Sequence, residues 1–209
     1  MATRIAAHQS AADHPFAVAW LLAKTLGVVC GPTVVPIWIA TLLVESSERP
    51  LAALDLALFV GSLAVFPAAI VAAAYFTGRA SDLDLSVHDE RRTLVAVGAL
   101  GAALGCAGLA LHRADPLLLV LACGAAGQAA LLAALTARDK VSYHGAAGAS
   151  LAAAGWWLAG PPLGLAFSCL ALATGWSRLY LHRHTARQVV VGLATGLPLA
   201  VFFVLANPG

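Results

Sequence analysis

Long apolar runs, separated by short polar stretches, make up most of this chain. Seven runs bounded by charged residues or proline are candidate helices, over residues 16–44, 51–77, 93–111, 116–136, 145–159, 163–176 and 189–205. A helix needs roughly 20 apolar residues to cross about 30 Å of hydrocarbon. The sequence has no ten-residue alternation of apolar and polar side chains, which is the pattern of transmembrane strands. The pattern therefore predicts an all-α fold, a polytopic transmembrane helical bundle with six to seven spans.

Some of these runs depart from a simple span. The run over residues 16–44 is long and contains Lys24, Pro32 and Pro36, so we expect a tilted or kinked span, or a helix that begins at the interface. The runs over 145–159 and 163–176 are short, and they reach a full span only if they include the polar residues beside them. Small residues such as Gly101 and Gly105 allow helices to approach closely, which is compatible with a homo-oligomer.

Composition narrows the class of protein. Hydrophobic residues make up 61% of the 209 residues and charged residues 11%, against about 45–50% and about 25% in soluble domains. These figures exclude an ordinary globular protein, and they also exclude a disordered chain. The net charge of +2 is too small to indicate a nucleic-acid partner. We expect residues 1–209 to form a single membrane-embedded domain, with a polar N-terminal segment over residues 1–15.

The basic residues are distributed unequally between the two sides that seven spans would define. One side would hold Arg4, Arg79, Arg91, Arg92, Arg138, Lys140, Arg178, Arg183 and Arg187, and the other would hold Arg49 and Arg113. Cytoplasmic loops carry the excess of Lys and Arg in membrane proteins. The sequence therefore predicts a multi-pass cell membrane protein whose more basic side faces the cytoplasm.

Three polar clusters interrupt the apolar chain, over residues 78–92, 138–145 and 177–188. Two predicted spans separate each cluster from the next, so all three would lie at the same membrane face. A charge at membrane depth costs several kcal/mol unless it faces a cavity or a partner. We therefore expect the three clusters to share one polar pocket.

The side chains of these clusters suit a bound phosphate. Lys140, Arg178 and either Arg91 or Arg92 would supply cationic donors, and an arginine offers a planar fork that matches phosphate oxygens. Ser142 and the backbone N–H groups at the start of the fifth run would add neutral donors at a positive helix end.

Two histidines accompany these donors. His144 and His184 could each act as a nucleophile or as a general acid. Gln188 follows His184 by four residues, so on a helix the amide would share the face of the imidazole and could orient it.

Two aspartates leave other functions open. Asp82 and Asp84 could hold Mg²⁺ against a diphosphate, and the same pocket would then belong to a prenyl diphosphate lyase, cyclase or transferase. Alternatively, the two carboxylates pair with Arg79 or Arg91 in a loop. A third possibility is a non-catalytic membrane protein that binds or transports an anion.

The third cluster resembles a known family signature. Ser177 and Arg178, followed after five residues by His184, are similar to the third signature of the type 2 phosphatidic acid phosphatase superfamily, Ser-Arg-x5-His-x3-Asp. Gln188 stands where that signature has aspartate. The stretch from Lys140 to His144 resembles the end of the second signature, Ser-Gly-His, with tyrosine in place of glycine. The first signature, Lys-x6-Arg-Pro, is matched only by an arginine at position 91 or 92.

The resemblance implies an integral membrane phosphatase that hydrolyses a lipid-linked phosphate or diphosphate, including isoprenoid phosphates. His184 would be the nucleophile that forms a phosphohistidine, and His144 would protonate the leaving oxygen and then assist water. Arg178 and the arginine at 91 or 92 would bind the phosphoryl oxygens. We expect Lys140 to replace the lysine that the first signature lacks here. The implied mechanism requires no metal or other cofactor, and a neutral amide at Gln188 would stabilise an imidazolium less than a carboxylate does.

Overall fold

A computed structural model describes residues 16–85 and 87–196. Over these residues the chain is all-helical and contains no strand. The helices are α1 (Ala17–Val29), α2 (Val35–Ser46), α3 (Ala53–Val60), α4 (Phe66–Phe76), α5 (His88–Leu111), α6 (Pro116–Thr136), α7 (Tyr143–Leu158), α8 (Pro161–Tyr180) and α9 (Ala186–Ala194). The five π-helical residues Gly61–Val65 join α3 to α4. The polar N-terminal segment and most of the predicted 189–205 span lie outside the described residues.

The first apolar run is divided into two helices. A turn over residues 30–34 contains Pro32 and separates α1, of 13 residues, from α2, of 12 residues. At 1.5 Å per residue each helix is only about 20 Å long, which is shorter than the roughly 30 Å hydrocarbon layer. The first run is therefore not one continuous helix, and both the kinked span and the helix that begins at the interface stay predictions. Pro36 lies in the first turn of α2, where its missing N–H leaves no helical hydrogen bond unmade.

Within residues 16–85 and 87–196, three helices are long and apolar enough to cross a membrane. They are the continuous helix Ala53–Phe76, α5 and α6. The bounds of α6 coincide with the predicted run over 116–136, and Asp115 caps its first turn by accepting a hydrogen bond from the Leu117 N–H at 2.9 Å. The length and composition of these helices indicate membrane association.

The neighbouring helices extend further into the polar clusters than the apolar runs do. α5 begins at His88 rather than at residue 93, so it carries the 91–92 arginine pair in its first turn. α8 continues to Tyr180 and includes Ser177 and Arg178 in its last turn. The helix of the sixth run therefore includes adjacent polar residues and is 20 residues long, while a full membrane span at this position stays a prediction.

Small residues allow the helices to pack closely. Gly105 of α5 faces the π-helical turn, and a Cβ atom there would lie 2.2 Å from the Ser62 hydroxyl oxygen. α9 packs on α7 in the same way, because a Cβ at Gly192 would lie 2.3 Å from the Ser142 carbonyl oxygen. Such close approach is how helices associate where surrounding lipid removes the hydrophobic driving force.

The bundle has an apolar core and a group of polar side chains at each end. Leu43, Phe59, Leu109, Leu118 and Leu151 are buried together in one apolar cluster. The Asp55 carboxylate accepts a hydrogen bond from the His112 imidazole where α3 begins and α5 ends. The opposite end of the bundle collects the start of α5, the end of α6, the start of α7, the end of α8 and the start of α9.

Candidate functional site

The three polar clusters meet around one small pocket. Its lining consists of Asp84, Arg91, Lys140, His144, Arg178, Arg183 and His184. Each cluster contributes at least one of these side chains, although the contributing residues span a hundred positions of the chain. The structure thus places both sequence-predicted histidines and three of the predicted cations in one pocket.

The start of α7 positions His144. The Ser142 hydroxyl accepts a hydrogen bond from the Gly145 N–H at 3.2 Å and so caps the helix. The Ser142 N–H donates to the Gln188 carbonyl oxygen at 3.1 Å, which fastens this cap to α9. Ser142 is fully buried and does not line the pocket, so its place is that of a helix cap rather than a phosphate donor.

The turn between α8 and α9 positions His184. The backbone N–H groups of Arg183 and His184 both donate to the Arg178 carbonyl oxygen, at 3.0 and 3.3 Å. His182 occupies the left-handed region with φ of +52° and its side chain is exposed. The reversal of the chain at His182 therefore separates it from the pocket that His184 lines.

Gln188 holds the ring of His184. The Gln188 Oε1 atom lies 3.1 Å from His184 Nδ1 and 3.2 Å from the Thr185 backbone nitrogen. Because a backbone N–H can only donate, the atom facing it is assigned as the amide oxygen, and His184 Nδ1 donates to the same oxygen. Gln188 and Thr185 also form a capping box at the start of α9.

The charge state of His184 follows from its surroundings. Burial lowers the pKa of His184 to about 3, and the positive charges of Arg91 and Lys140 act in the same direction. The hydrogen bond with Gln188 opposes this shift. His184 is therefore a neutral imidazole at physiological pH, with its proton on Nδ1 and the lone pair on Nε2 available for attack.

Arg91, rather than Arg92, belongs to the pocket. The buried guanidinium of Arg91 donates to three carbonyl oxygens, those of Leu85, Val141 and Asp84, each at 2.9 Å. These bonds join the loop after α4 to the segment before α7. Two N–H groups of the fork remain for an anion. Arg92 is exposed and does not line the pocket. Of the two candidate arginines, it is therefore Arg91 that is placed to contact a ligand there.

Arg178 is buried at the end of α8. Its Nε donates to the Ser177 hydroxyl at 3.2 Å, and that hydroxyl donates to the Thr174 carbonyl at 2.8 Å. Ser177 therefore supports Arg178 and does not line the pocket. A Cβ at Gly27 of α1 would lie 1.9 Å from Arg178 Nη2. Sequence reasoning missed this contact, because one glycine in an apolar helix carries no signal of what it faces.

Lys140 reaches the pocket from the loop between α6 and α7. Its Nζ donates to the Arg183 carbonyl oxygen at 3.0 Å. Burial lowers the pKa of Lys140, and the positive charges of Arg91 and Arg183 lower it further. Lys140 therefore lies in the same pocket as Arg91 and Arg178, and its replacement of the lysine in the first signature stays a prediction.

Asp84 is a pocket residue that sequence reasoning assigned only to a magnesium site or a loop ion pair. Its carboxylate lies 3.8 Å from Arg183 Nε, and its backbone carbonyl accepts from Arg91. Asp84 therefore pairs with Arg183 rather than with the side chain of Arg79 or Arg91. In residues 16–85 and 87–196, no group of three or more His, Cys, Asp or Glu side chains is placed to hold a metal ion.

A larger cavity adjoins the polar pocket. It has a volume of about 560 Å³ and is lined mainly by apolar side chains of α2 to α7, including Ile39 and Leu121. We call it the apolar chamber. Asp84, Arg91 and His144 line both spaces, so the chamber lies directly beside the polar pocket.

The combined arrangement can bind an anionic group, attack it with an imidazole and protonate a leaving group. Neutral His184 has a nitrogen lone pair that is capable of nucleophilic attack, the arginine and lysine side chains supply positive charge, and His144 lies beside the apolar chamber. No protein-family model, curated protein or solved structure matches this chain.

Proposed function

We propose that this protein is an integral membrane phosphatase that hydrolyses a lipid-linked phosphate or diphosphate through a phosphohistidine intermediate. The observation that carries the proposal is the meeting of His144 and His184 in one pocket with Arg91, Lys140 and Arg178. The resemblance to the type 2 phosphatidic acid phosphatase superfamily assigns the reaction to the two histidines, to Arg178 and to an arginine at position 91 or 92, and the role of Lys140 is inferred from its place near His144. Gln188 in place of aspartate is compatible with it, since an amide oxygen also orients the ring.

In the first step, His184 Nε2 attacks phosphorus and the bond to the lipid oxygen breaks. Burial and the charge of Arg178 lower the pKa of His144 to about 4, and the negative charge of a bound phosphate raises it again, so the ring takes up a proton when the substrate binds. His144 then donates this proton to that oxygen, and the lipid leaves as an alcohol or as a shortened phosphate. Arg91, Arg178 and Lys140 stabilise the charge on the phosphoryl oxygens. In the second step, water attacks the phosphohistidine, His144 accepts its proton, and phosphate leaves while His184 returns to the neutral ring.

Binding requires a rearrangement of the polar pocket. The space between its side chains is about 10 Å³, about the volume that holds a single water molecule. Lys140 bonds a backbone carbonyl rather than a carboxylate, and exchanging this neutral acceptor for a phosphate oxygen strengthens the hydrogen bond. We expect the lysine side chain to move when the phosphoryl group enters.

The proposed location is the cell membrane, in a six- to seven-span arrangement. α8 adds 20 residues to the three long apolar helices, enough at 1.5 Å per residue for about 30 Å. The excess of basic residues in the polar clusters favours a cytoplasm-facing site under the positive-inside rule.

The test is phosphate release from a panel of lipid phosphates and diphosphates, with and without EDTA. His184→Asn should lose activity by several orders of magnitude, because the nucleophile is removed. His182→Asn is the matched control, since its exposed side chain lies outside the pocket and asparagine tolerates a left-handed backbone. Equal activity in both variants would contradict the proposal. Activity abolished by EDTA would indicate magnesium-dependent prenyl diphosphate chemistry, and binding without ester cleavage would indicate an anion-binding protein.

A further inference from the structure

We propose that the apolar chamber holds the hydrocarbon chain of the substrate, and that the substrate is a single-chain lipid such as an alkyl or prenyl phosphate. This inference rests on the proposed function, because it places the phosphate in the His144–His184 pocket. It adds that the chain lies inside the protein rather than in the surrounding bilayer.

One face of α5 runs from the polar pocket into the chamber. Its lining residues recur every three or four positions, as Arg91, Leu94, Val95, Gly98, Ala99 and Ala102. This spacing is that of a single helical face. The face begins with a guanidinium and continues with apolar side chains for about 16 Å at 1.5 Å per residue. A charged head followed by an extended apolar path matches the shape of a single-chain amphiphile.

The junction between the two spaces lies at the proposed leaving group. His144 lines both the polar pocket and the chamber, and in the proposed reaction it protonates the oxygen that carries the lipid chain. A chain attached to that oxygen therefore starts at the boundary between the polar pocket and the chamber. Arg91 lines both spaces as well, so the phosphate that it binds lies beside the same boundary.

The volume favours one chain. About 560 Å³ lies within the range of about 300–1,000 Å³ that holds one drug-sized ligand. Moving a chain from the bilayer into the chamber exchanges one apolar environment for another, so it adds little hydrophobic free energy. The chamber should act mainly by positioning the ester bond, and misplacement by about 1 Å can reduce a rate by about 100-fold.

A pair of glycine variants tests this role. Gly98 lies on the chamber face of α5 and a Cβ there meets no atom within 4 Å, so Gly98→Phe would fill the chamber without displacing protein atoms near the backbone. Gly127 of α6 is equally open but does not line the chamber, so Gly127→Phe is the matched control. The measured quantity is kcat/KM for farnesyl phosphate divided by kcat/KM for the chainless substrate phenyl phosphate.

We expect this ratio to fall about tenfold or more in Gly98→Phe, the scale of a misplaced substrate, and to keep its wild-type value in Gly127→Phe. An unchanged ratio in both variants, or an equal fall in both, would overturn the inference. Faster hydrolysis of a diacyl phosphatidic acid than of farnesyl phosphate by the wild type would overturn the single-chain assignment. If Gly98→Phe does not fold, Gly98→Leu replaces it and carries the same expectation.

A binding experiment separates this inference from the proposed function. A long-chain alkyl phosphate with a diazirine at its terminal carbon is irradiated with wild-type protein and with His184→Asn. We expect labels on chamber residues such as Ala102 and Leu121, reduced by excess farnesyl phosphate. Labels confined to the outward-facing Leu100 and Leu104 would overturn the inference. Chamber labelling without phosphate release from any substrate would support the chamber and contradict the phosphatase.

Discussion

The amide oxygen of Gln188 lies 3.1 Å from Nδ1 of His184 and fixes the orientation and tautomer of the imidazole. The same oxygen accepts the Thr185 N–H, so one side chain both caps α9 and directs the proposed nucleophile. The precise register of α9 therefore sets where His184 Nε2 points.

Substitution of Gln188 tests this positioning. Gln188→Ala removes the acceptor and should lower kcat by about 10- to 100-fold, because the ring is no longer held for attack, with little change in KM. Gln188→Glu keeps the capping box and places a carboxylate beside the ring, so it should raise the pKa of His184 above its value of about 3. Steady-state kinetics and histidine NMR measure the two effects. Equal kcat in the wild type and Gln188→Ala would show that the amide does not position the nucleophile.

The pH dependence of His184 is a second prediction. The folded protein holds the pKa of His184 at about 3, whereas an unfolded histidine titrates near about 6.5. Nitrogen-15 NMR of labelled histidines should show two rings that are still neutral at pH 5, those of His184 and of His144, whose pKa burial lowers to about 4. The signal that titrates at the lower pH should vanish in His184→Gln.

The same shift affects stability. Between about pH 6.5 and 3, the unfolded state binds a proton that the folded state excludes, so the free energy of unfolding decreases as the pH falls through this window. His184→Gln should lose less stability over that range than the wild type does. A His184 signal that titrates near pH 6.5 would contradict both expectations.

Substitution of Gly27 should weaken substrate binding without destabilising the fold. Gly27→Ala places a methyl group 1.9 Å from the present position of Arg178 Nη2, and the flexible guanidinium should move away. Alanine is a better helix former than glycine by about 1 kcal/mol, so the fold should tolerate the change. We expect KM to rise about tenfold, the equivalent of about 1.4 kcal/mol of lost binding. Gly127→Ala, at an open helical position, should leave KM unchanged.

Neighbouring arginines form a further matched pair. Arg91→Gln leaves three carbonyl oxygens without their guanidinium donors, and two of these hydrogen bonds are buried, so we expect a loss of about 3 kcal/mol in the free energy of unfolding. Arg92→Gln alters an exposed side chain and should change it by less than about 0.5 kcal/mol. Denaturation in detergent compares the two. Similar losses in both variants would show that the Arg91 bonds do not join the loops.

Much of the helical framework could be predicted from the sequence, because a charge or a proline ends an apolar run sharply. Pro116 begins α6 where the run begins, and the polar clusters lie at one end as two-span spacing requires. The choice between Arg91 and Arg92 could not be predicted. After Arg92 all faces of α5 are apolar, so hydrophobic periodicity does not show which face of the helix packs against the rest of the bundle.

Contacts between helices that are far apart in the sequence could not be predicted either. The turn that separates α1 from α2 depends on how the chain packs, since a proline permits either a kink or a break. Asp84 lies among the cations of the pocket because Arg91 donates hydrogen bonds to the backbone carbonyl groups of the loop that contains Asp84. Neither carbonyl bonds nor loop paths leave a signature in residue types alone.

The central claim is that His184 becomes covalently phosphorylated. The most direct measurement is a single turnover of phosphorus-32-labelled farnesyl phosphate, quenched in alkali and followed by peptide mapping, in the wild type and in His144→Ala. We predict an acid-labile, alkali-stable label on the peptide that contains His184. The label should form more slowly and also disappear more slowly in His144→Ala, because His144 protonates the leaving oxygen and later assists the attacking water. Phosphate release without a labelled intermediate, or a label on any other residue, would contradict this account.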